Sequence, residues 1–520
     1  MPGLRTTPQR LRSRLVAQLL LALWAGSVLA QTPEPIRYTV DVSSPETQRA
    51  AVTALVPTGG QAAVELMMPV WSPGYYVRED YATRVERLDA RSPAGEALTV
   101  VQPQPNRWRI TTNGAAAVTV TYSVRCTERF VTRNWVGPDL AVLNGAPTFV
   151  TLVDGVARPH EVTFVLPATW PRSVTALPPA PGGAPHHYAA SSYDELVDSP
   201  VVIGDVVVHE FEVGGMRHVL ADAGAVPASY DGAQAAANLE RIARATGRFW
   251  GFLPYDRYVF LNVFRQGGGG LEHAASTLLT SSANLSGGGS PGWLSFVTHE
   301  YFHALNVKRL RPVELGPFDY ERPPATAGLW IAEGLTSYYG SLLTARAGLT
   351  TTEQYLASLS NAIRSLQSSP GRLVQTLEQA SLGIFATGGS GVGGDRNATV
   401  SYYVKGEVVG WLLDARIRRI TNGARSLDDV MRLAYRRFGG ARGFTNAQFE
   451  ATAAEVAGTD LAGFFQRALR SPDELDYSEA LDWYGLRFTE AGEPPRAWML
   501  EVRPDATAAQ QEHLLRLVGG

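Results

Sequence analysis

An α+β fold of more than one domain, antiparallel β first and mainly helical afterwards, is predicted by three observations. Short runs rich in Val, Thr and aromatics, separated by Pro, Gly and Asn turns, fill residues 35 to about 210. Near Pro227 the pattern changes to apolar residues at helical spacing. The chain has 520 residues, about three domains at roughly 150 residues each. Its 45% hydrophobic content is enough for large cores.

The first 30 residues read as a signal peptide. Arg5, Arg10, Arg12 and Arg14 precede the apolar run LVAQLLLALWAGSVLA, and Val28-Leu29-Ala30 fits small-residue cleavage after Ala30. The run is short for a membrane span, which needs about 20 apolar residues. No later segment reads as one. The mature chain is therefore expected outside the cytoplasm, periplasmic or secreted, without stable membrane insertion. Cys126 is the only cysteine, so no intrachain disulfide can form, and its strand-like surroundings make it a buried small residue. A net charge of −3 gives no basic field for nucleic acid.

Residues 31–215 form the expected β-domain, with YTVDV, AAVTALV, AAVELMMPV, TVTYSVR, HEVTFVLP and SPVVIGDVVVHEFEV as strands. Residues 225–475 form the second domain. DGAQAAANLERIARATGRFWGF is an amphipathic helix, YVFLNVF a strand and GGGGLEH a Gly-rich turn out of it. Six further helical segments follow from Ser290, interrupted by the Gly-rich loop LGIFATGGSGVGGDRNA. Residues 476–520 are a short tail with two strand-like pieces and a terminal helix.

VTHEYFHALNV holds His299, Glu300 and His303 as H-E-x-x-H. On a helix, positions i and i+4 share a face about one turn apart, so both imidazoles can meet one ion. Glu300 stands beside His299 and can reach a water there without being a ligand. Ser290 is a good N-cap, Pro291 a good first residue, and Lys308, Arg309 and Arg311 before Pro312 suit the far end. A catalytic zinc wants three protein ligands and one open position. A third histidine in the extended motif is excluded, because Asn306 and Arg309 stand there and no histidine follows until His513. The remaining candidates are Glu314, Asp319, Glu321 and Glu333. Glu333 is chosen, because LWIAEGLTSYYGSLL looks buried and a carboxylate there needs a partner such as zinc.

THEYFHALNVKRLRP, FDYERP, LWIAEGLTSYYG and SYYVKGEVVGWLLDARIR together resemble the glycyl aminopeptidases of peptidase family M61, which are gluzincin metallopeptidases. MPVWSPGYYVREDYATRV and SYDELVDSPVVIGD resemble that family's N-terminal β-domain, and GGGGLEHAAST its substrate strand. The resemblance runs from about residue 36 to 480. It implies a thermolysin-like catalytic domain, one zinc ion per chain held by His299, His303 and Glu333, and Glu300 as general base. It departs in one place: many members carry a C-terminal PDZ domain, for which the residues after Ala480 are too few.

The same resemblance assigns the remaining site residues. In related zinc aminopeptidases a tyrosine in a Y-x-K-G context stabilises the oxyanion, which here is Tyr403, with Tyr402 as its neighbour and rival. The Glu of a G-x-M-E-N motif holds the substrate amine, which here is Glu272, with His273 in place of the Asn. Gly269 and Gly270 let a peptide backbone approach. These residues imply an aminopeptidase for small N-terminal residues such as Gly or Ala. The alternatives are a zinc endopeptidase and a non-catalytic peptide-binding protein that keeps the fold. Nothing in the sequence sets the oligomeric state.

Overall fold

The computed structural model describes Gly3 and residues 33–387, 395–489 and 497–519. Almost all of the expected signal peptide and part of the Gly-rich loop lie outside the described residues. The predicted order holds: a sheet-rich N-terminal half, then a helical half.

Three sheets build the β-domain. Alternation makes the largest. Along Arg49–Pro57 the residues Ala50, Val52, Ala54 and Val56 turn inward while their neighbours face out. This strand lies between Ile36–Asp41 and Ala117–Arg125, both antiparallel to it. The sheet is not wholly antiparallel, since Ile36–Asp41 also pairs parallel with His160–Val165. Cys126 is fully buried, and burial pushes its thiol up to about 12.

A further sheet of five strands carries the helical half. Its order is Val207–Val213, Met216–Gly224, Arg257–Phe264, Ser276–Ser281 and Gly269–Glu272. Val207–Val213 falls inside the 31–215 span, yet it pairs with Met216–Gly224 and not with the N-terminal sheets. Gly269–Glu272 pairs antiparallel with Ser276–Ser281 and is the edge of this sheet.

Ser290 caps the motif helix, Pro291–Phe302, by accepting from the Trp293 N–H. The helix stops nine residues short of the expected end at Arg311. Val307 takes a φ of 133°, and the chain folds back so that the Lys308 N–H reaches the His303 carbonyl. The basic residues that read as a helix end are used elsewhere. Lys308 is buried on Asp198 at 2.8 Å, and Arg309 donates to the carbonyls of Ala274 and Ala304. The next helix begins as a π turn, Trp330–Gly334, and continues as α from Leu335 to Arg346. Thr298 and Thr344 join hydroxyls between these two helices at 2.9 Å. The long helix Tyr402–Ile420 crosses the π turn where Gly334 meets Gly406. A Cβ on Gly334 would stand 2.5 Å from the Gly406 Cα, so the contact is backbone on backbone.

Candidate metal centre and active site

The motif helix brings His299 and His303 one turn apart, and their Nε2 atoms approach to 3.0 Å. Glu333 enters from the π turn, with Oε2 3.2 Å from the His303 Nε2 and 3.6 Å from that of His299. Single ligand atoms of the three residues all lie within 4.8 Å of one another. A π turn widens the helix by one residue, a device found mostly at functional sites. Here it turns the Glu333 carboxylate onto the histidine pair.

The surroundings prepare the nitrogens. The His303 Nδ1–H donates to the Asn306 carbonyl at 2.7 Å, which turns Nε2 toward Glu333 as the nitrogen that would bind a metal. The Asn306 amide then donates to the Ile331 carbonyl at 2.8 Å and to the Thr336 hydroxyl at 2.9 Å, tying the first two ligands to the turn that carries the third. Ser337 donates to the Glu333 carbonyl at 3.0 Å and lies 3.4 Å from the His299 Nδ1. Burial opposes charge on Glu333, but His303 and His299 outweigh it and hold the carboxyl well below the usual range. Burial lowers His303 in turn, but Glu333 and Glu272 outweigh it and drive the imidazole up. The site therefore favours a cation among these atoms. Glu333 also keeps Oε1 buried with no hydrogen-bond partner. Two nitrogens and a carboxylate are a donor set that suits zinc.

Glu300 is 5% exposed, and its carboxylate rests on the edge strand. A Cβ on Gly270 would stand 2.3 Å from the Glu300 Oε1, so only glycine leaves that carboxylate its place. Burial, reinforced by Glu272 and Glu333 against the pull of His303, raises Glu300 to about 8. Tyr403 lies in the first turn of its helix, which Ser401 caps, and its ring centre is 6.2 Å from that of His299. Tyr402 stacks on Tyr403 at 4.8 Å and is 1% exposed.

Glu272 ends the edge strand on the same side as Glu300 and Glu333, whose fields it feels together with those of His303 and Lys308. Its Oε1 is buried without a partner. Gly269 lies three residue pairs from Glu272, opposite Thr280. His273 follows the last residue of the edge strand, and its Nδ1 contacts Asp198 of the β-domain at 3.0 Å.

Three positions had no role in the sequence reading. Asp198 accepts from Lys308, His273 and the Ala274 N–H, so one β-domain carboxylate fixes the edge strand and the segment after the motif. Gly74, at a φ of 97°, packs on the Glu272 carboxyl, where its Cβ would stand 2.4 Å from Oε1. Tyr76 is buried with its hydroxyl facing Glu333 and Glu272. WSPGYY and DELVDSP were visible as motifs, but nothing in the sequence says that they meet the metal site.

Two family models match the chain. The Peptidase M61 N-terminal domain covers residues 37–205, and the M61 glycyl aminopeptidase covers 292–409. No curated protein matches. Among solved structures, an aminopeptidase N family protein from Idiomarina loihiensis is similar over 87% of this chain and 78% of its own, at 26% identity and a TM-score of 0.82. A mutant M1 zinc metallopeptidase from Deinococcus radiodurans is similar over 86% of this chain and 95% of its own, at 12% identity and a TM-score of 0.55. The same enzyme solved with a Tyr-Ser-Ala substrate gives 13% identity and a TM-score of 0.53 over the same shares. The two last likenesses concern the fold alone.

Proposed function

The chain belongs to peptidase family M61 and is a metallopeptidase, and from that premise we propose that it is a zinc-dependent aminopeptidase removing small N-terminal residues, Gly or Ala, from peptides. One observation carries the reading. A cluster fit for zinc stands beside an open edge strand, and that strand ends in a buried carboxylate with an unpartnered oxygen.

His299, His303 and Glu333 would hold the zinc. When bound, the ion supplies Lewis acidity that activates a water and polarises the scissile carbonyl. Glu300 takes the proton of the attacking water and passes it to the leaving amine. Tyr403 donates to the oxygen that gains charge. The free edge of Gly269–Glu272 pairs with the substrate backbone. Glu272 pairs with the α-ammonium, which fixes the cut one residue from the N-terminus. Gly74 and Tyr76 close on the Glu272 carboxylate, a crowding that suits a small first side chain.

The test uses zinc-loaded protein and alanine-rich peptides. The expected result is cleavage of the free-amine peptide and none of its N-acetylated form. Glu300→Gln should lose activity by about two to four orders of magnitude with zinc still bound. Equal cleavage of both peptides would turn the reading to an endopeptidase. Full activity of Glu300→Gln would remove that residue from the chemistry.

A further inference from the structure

The edge strand and the motif helix run past one another in opposite directions. Gly270 rests on Glu300. Burial raises Glu272, and the largest charge opposing it is that of His303, so the strand's Glu272 end lies by the later histidine. Its Gly269 end then lies toward the earlier turns of the helix. A peptide that pairs with this edge and leaves its amine on Glu272 puts its first residue on the His303 side of the ligand cluster. Its second residue falls on the His299 side.

The His299 side is open. Beyond its exposed first residues the helix Pro291–Phe302 is buried except at Ser295, Phe296 and His299, which share one face. The helix Leu335–Arg346 is buried except at Ser337 and its last residue. Ser337 stands 3.4 Å from the His299 Nδ1, and a Cβ on Gly340 would stand 3.2 Å from the His299 Cβ, so the two helices form one wall. The helix Tyr402–Ile420 supplies the opposite wall, with Tyr403 and, one turn later, Glu407 partly open. The Tyr403 ring faces His299, and Glu407 follows about 6 Å farther along the helix axis, at about 1.5 Å per residue.

Glu407 has no partner in the protein. Among the described residues no hydrogen bond or ion pair reaches its carboxylate. Burial alone raises it to about 8. Burial also raises Tyr355, and the charges of Asp414 and then Glu407 add to it, so Glu407 is turned toward the helix Thr352–Gln367. An acid sunk among helices without a cation costs free energy that a cation from outside would recover. The cation must arrive on a stem long enough to pass Tyr403. Lys and Arg carry theirs on such a stem, whose apolar length suits the flanks of Phe296 and Tyr403.

We propose that Glu407 closes a subsite for the side chain of the residue that follows the cut, and that it selects Lys or Arg there. The substrates are then peptides that begin with a small residue followed by a basic one. The proposal rests on the aminopeptidase reading above.

The experiment compares Ala-Lys-Ala with Ala-norleucine-Ala, which keeps the stem without its charge, and with Ala-Glu-Ala. Zinc-loaded enzyme should cleave the lysine peptide with a kcat/KM at least about tenfold above the norleucine peptide, through KM, the effect of one charge-assisted contact. The glutamate peptide should be the poorest. In Glu407→Gln the lysine-to-norleucine ratio should fall toward one. In Glu407→Lys the order of the lysine and glutamate peptides should invert. A wild-type ratio of one, or a ratio that Glu407→Gln leaves unchanged, would overturn the subsite. If none of the three is cleaved, the aminopeptidase reading falls, and calorimetric titration of the zinc-loaded protein with the same peptides still decides the subsite. Equal affinity for the lysine and norleucine peptides would then overturn it.

Discussion

Gly270 leaves no room for a side chain, because the Glu300 carboxylate occupies the space a Cβ would take. Gly270→Ala should therefore move the general base without touching a ligand. Activity is expected to fall by about a hundredfold or more while zinc content stays near one per chain, as metal analysis beside peptide hydrolysis would show. At this scale the sequence was most informative where geometry is local. His299, Glu300 and His303 needed only helical spacing, and Glu333 needed only the cost of burying a carboxylate. The tie of His273 to Asp198 spans 75 residues of sequence, which no local pattern shows. Asn306 was noted only for not being histidine, yet its carbonyl holds His303 and its amide holds the turn of Glu333. That double use depends on a chain reversal marked by Val307, which no periodicity signals.

Elements were legible where one period persists. The helices Gly232–Trp250, Thr352–Gln367 and Tyr402–Ile420 and the strand Arg257–Phe264 lie where apolar spacing put them. The π turn was not legible, since it shares its residues with the helix it opens. Its packing is exacting, because Gly334 and Gly406 touch through backbone. Gly334→Ala should force the helix Tyr402–Ile420 outward and carry Tyr403 with it. The expected outcome is a loss of about 1–3 kcal/mol by chemical denaturation, together with lower kcat. An unchanged denaturation midpoint would show that the crossing yields more easily than its geometry says. The strand Val207–Val213 has a composition that suits strands of either half, and only its pairing with Met216–Gly224 shows which sheet it joins.

Across the whole molecule, Asp198 joins the two halves. Its partners His273, Ala274 and Lys308 are more than 70 residues away in sequence, beyond any local pattern. Burial works against its charge, but Lys308 and His273 hold the carboxyl well below its ordinary value. A carboxyl lowered on folding stabilises the fold above the usual carboxylate range and loses that contribution as pH falls through its folded value. Asp198→Ala should cost about 3–5 kcal/mol at neutral pH, since it leaves the buried Lys308 unpaired. Its acid unfolding profile should be flatter than that of the parent, as circular dichroism against pH would reveal. At the same scale, the expected export predicts that N-terminal sequencing of the mature protein begins at Gln31, and a start at Met1 would refute it.

The contact of Gly74 and Tyr76 with Glu272 and Glu333 also orders events in time. A ribosome delivers the β-domain first, the motif helix next and the tyrosine pair last, so no partial chain holds a finished site. The site is thus completed only once the chain has been made as far as Tyr403, more than 300 residues after Gly74.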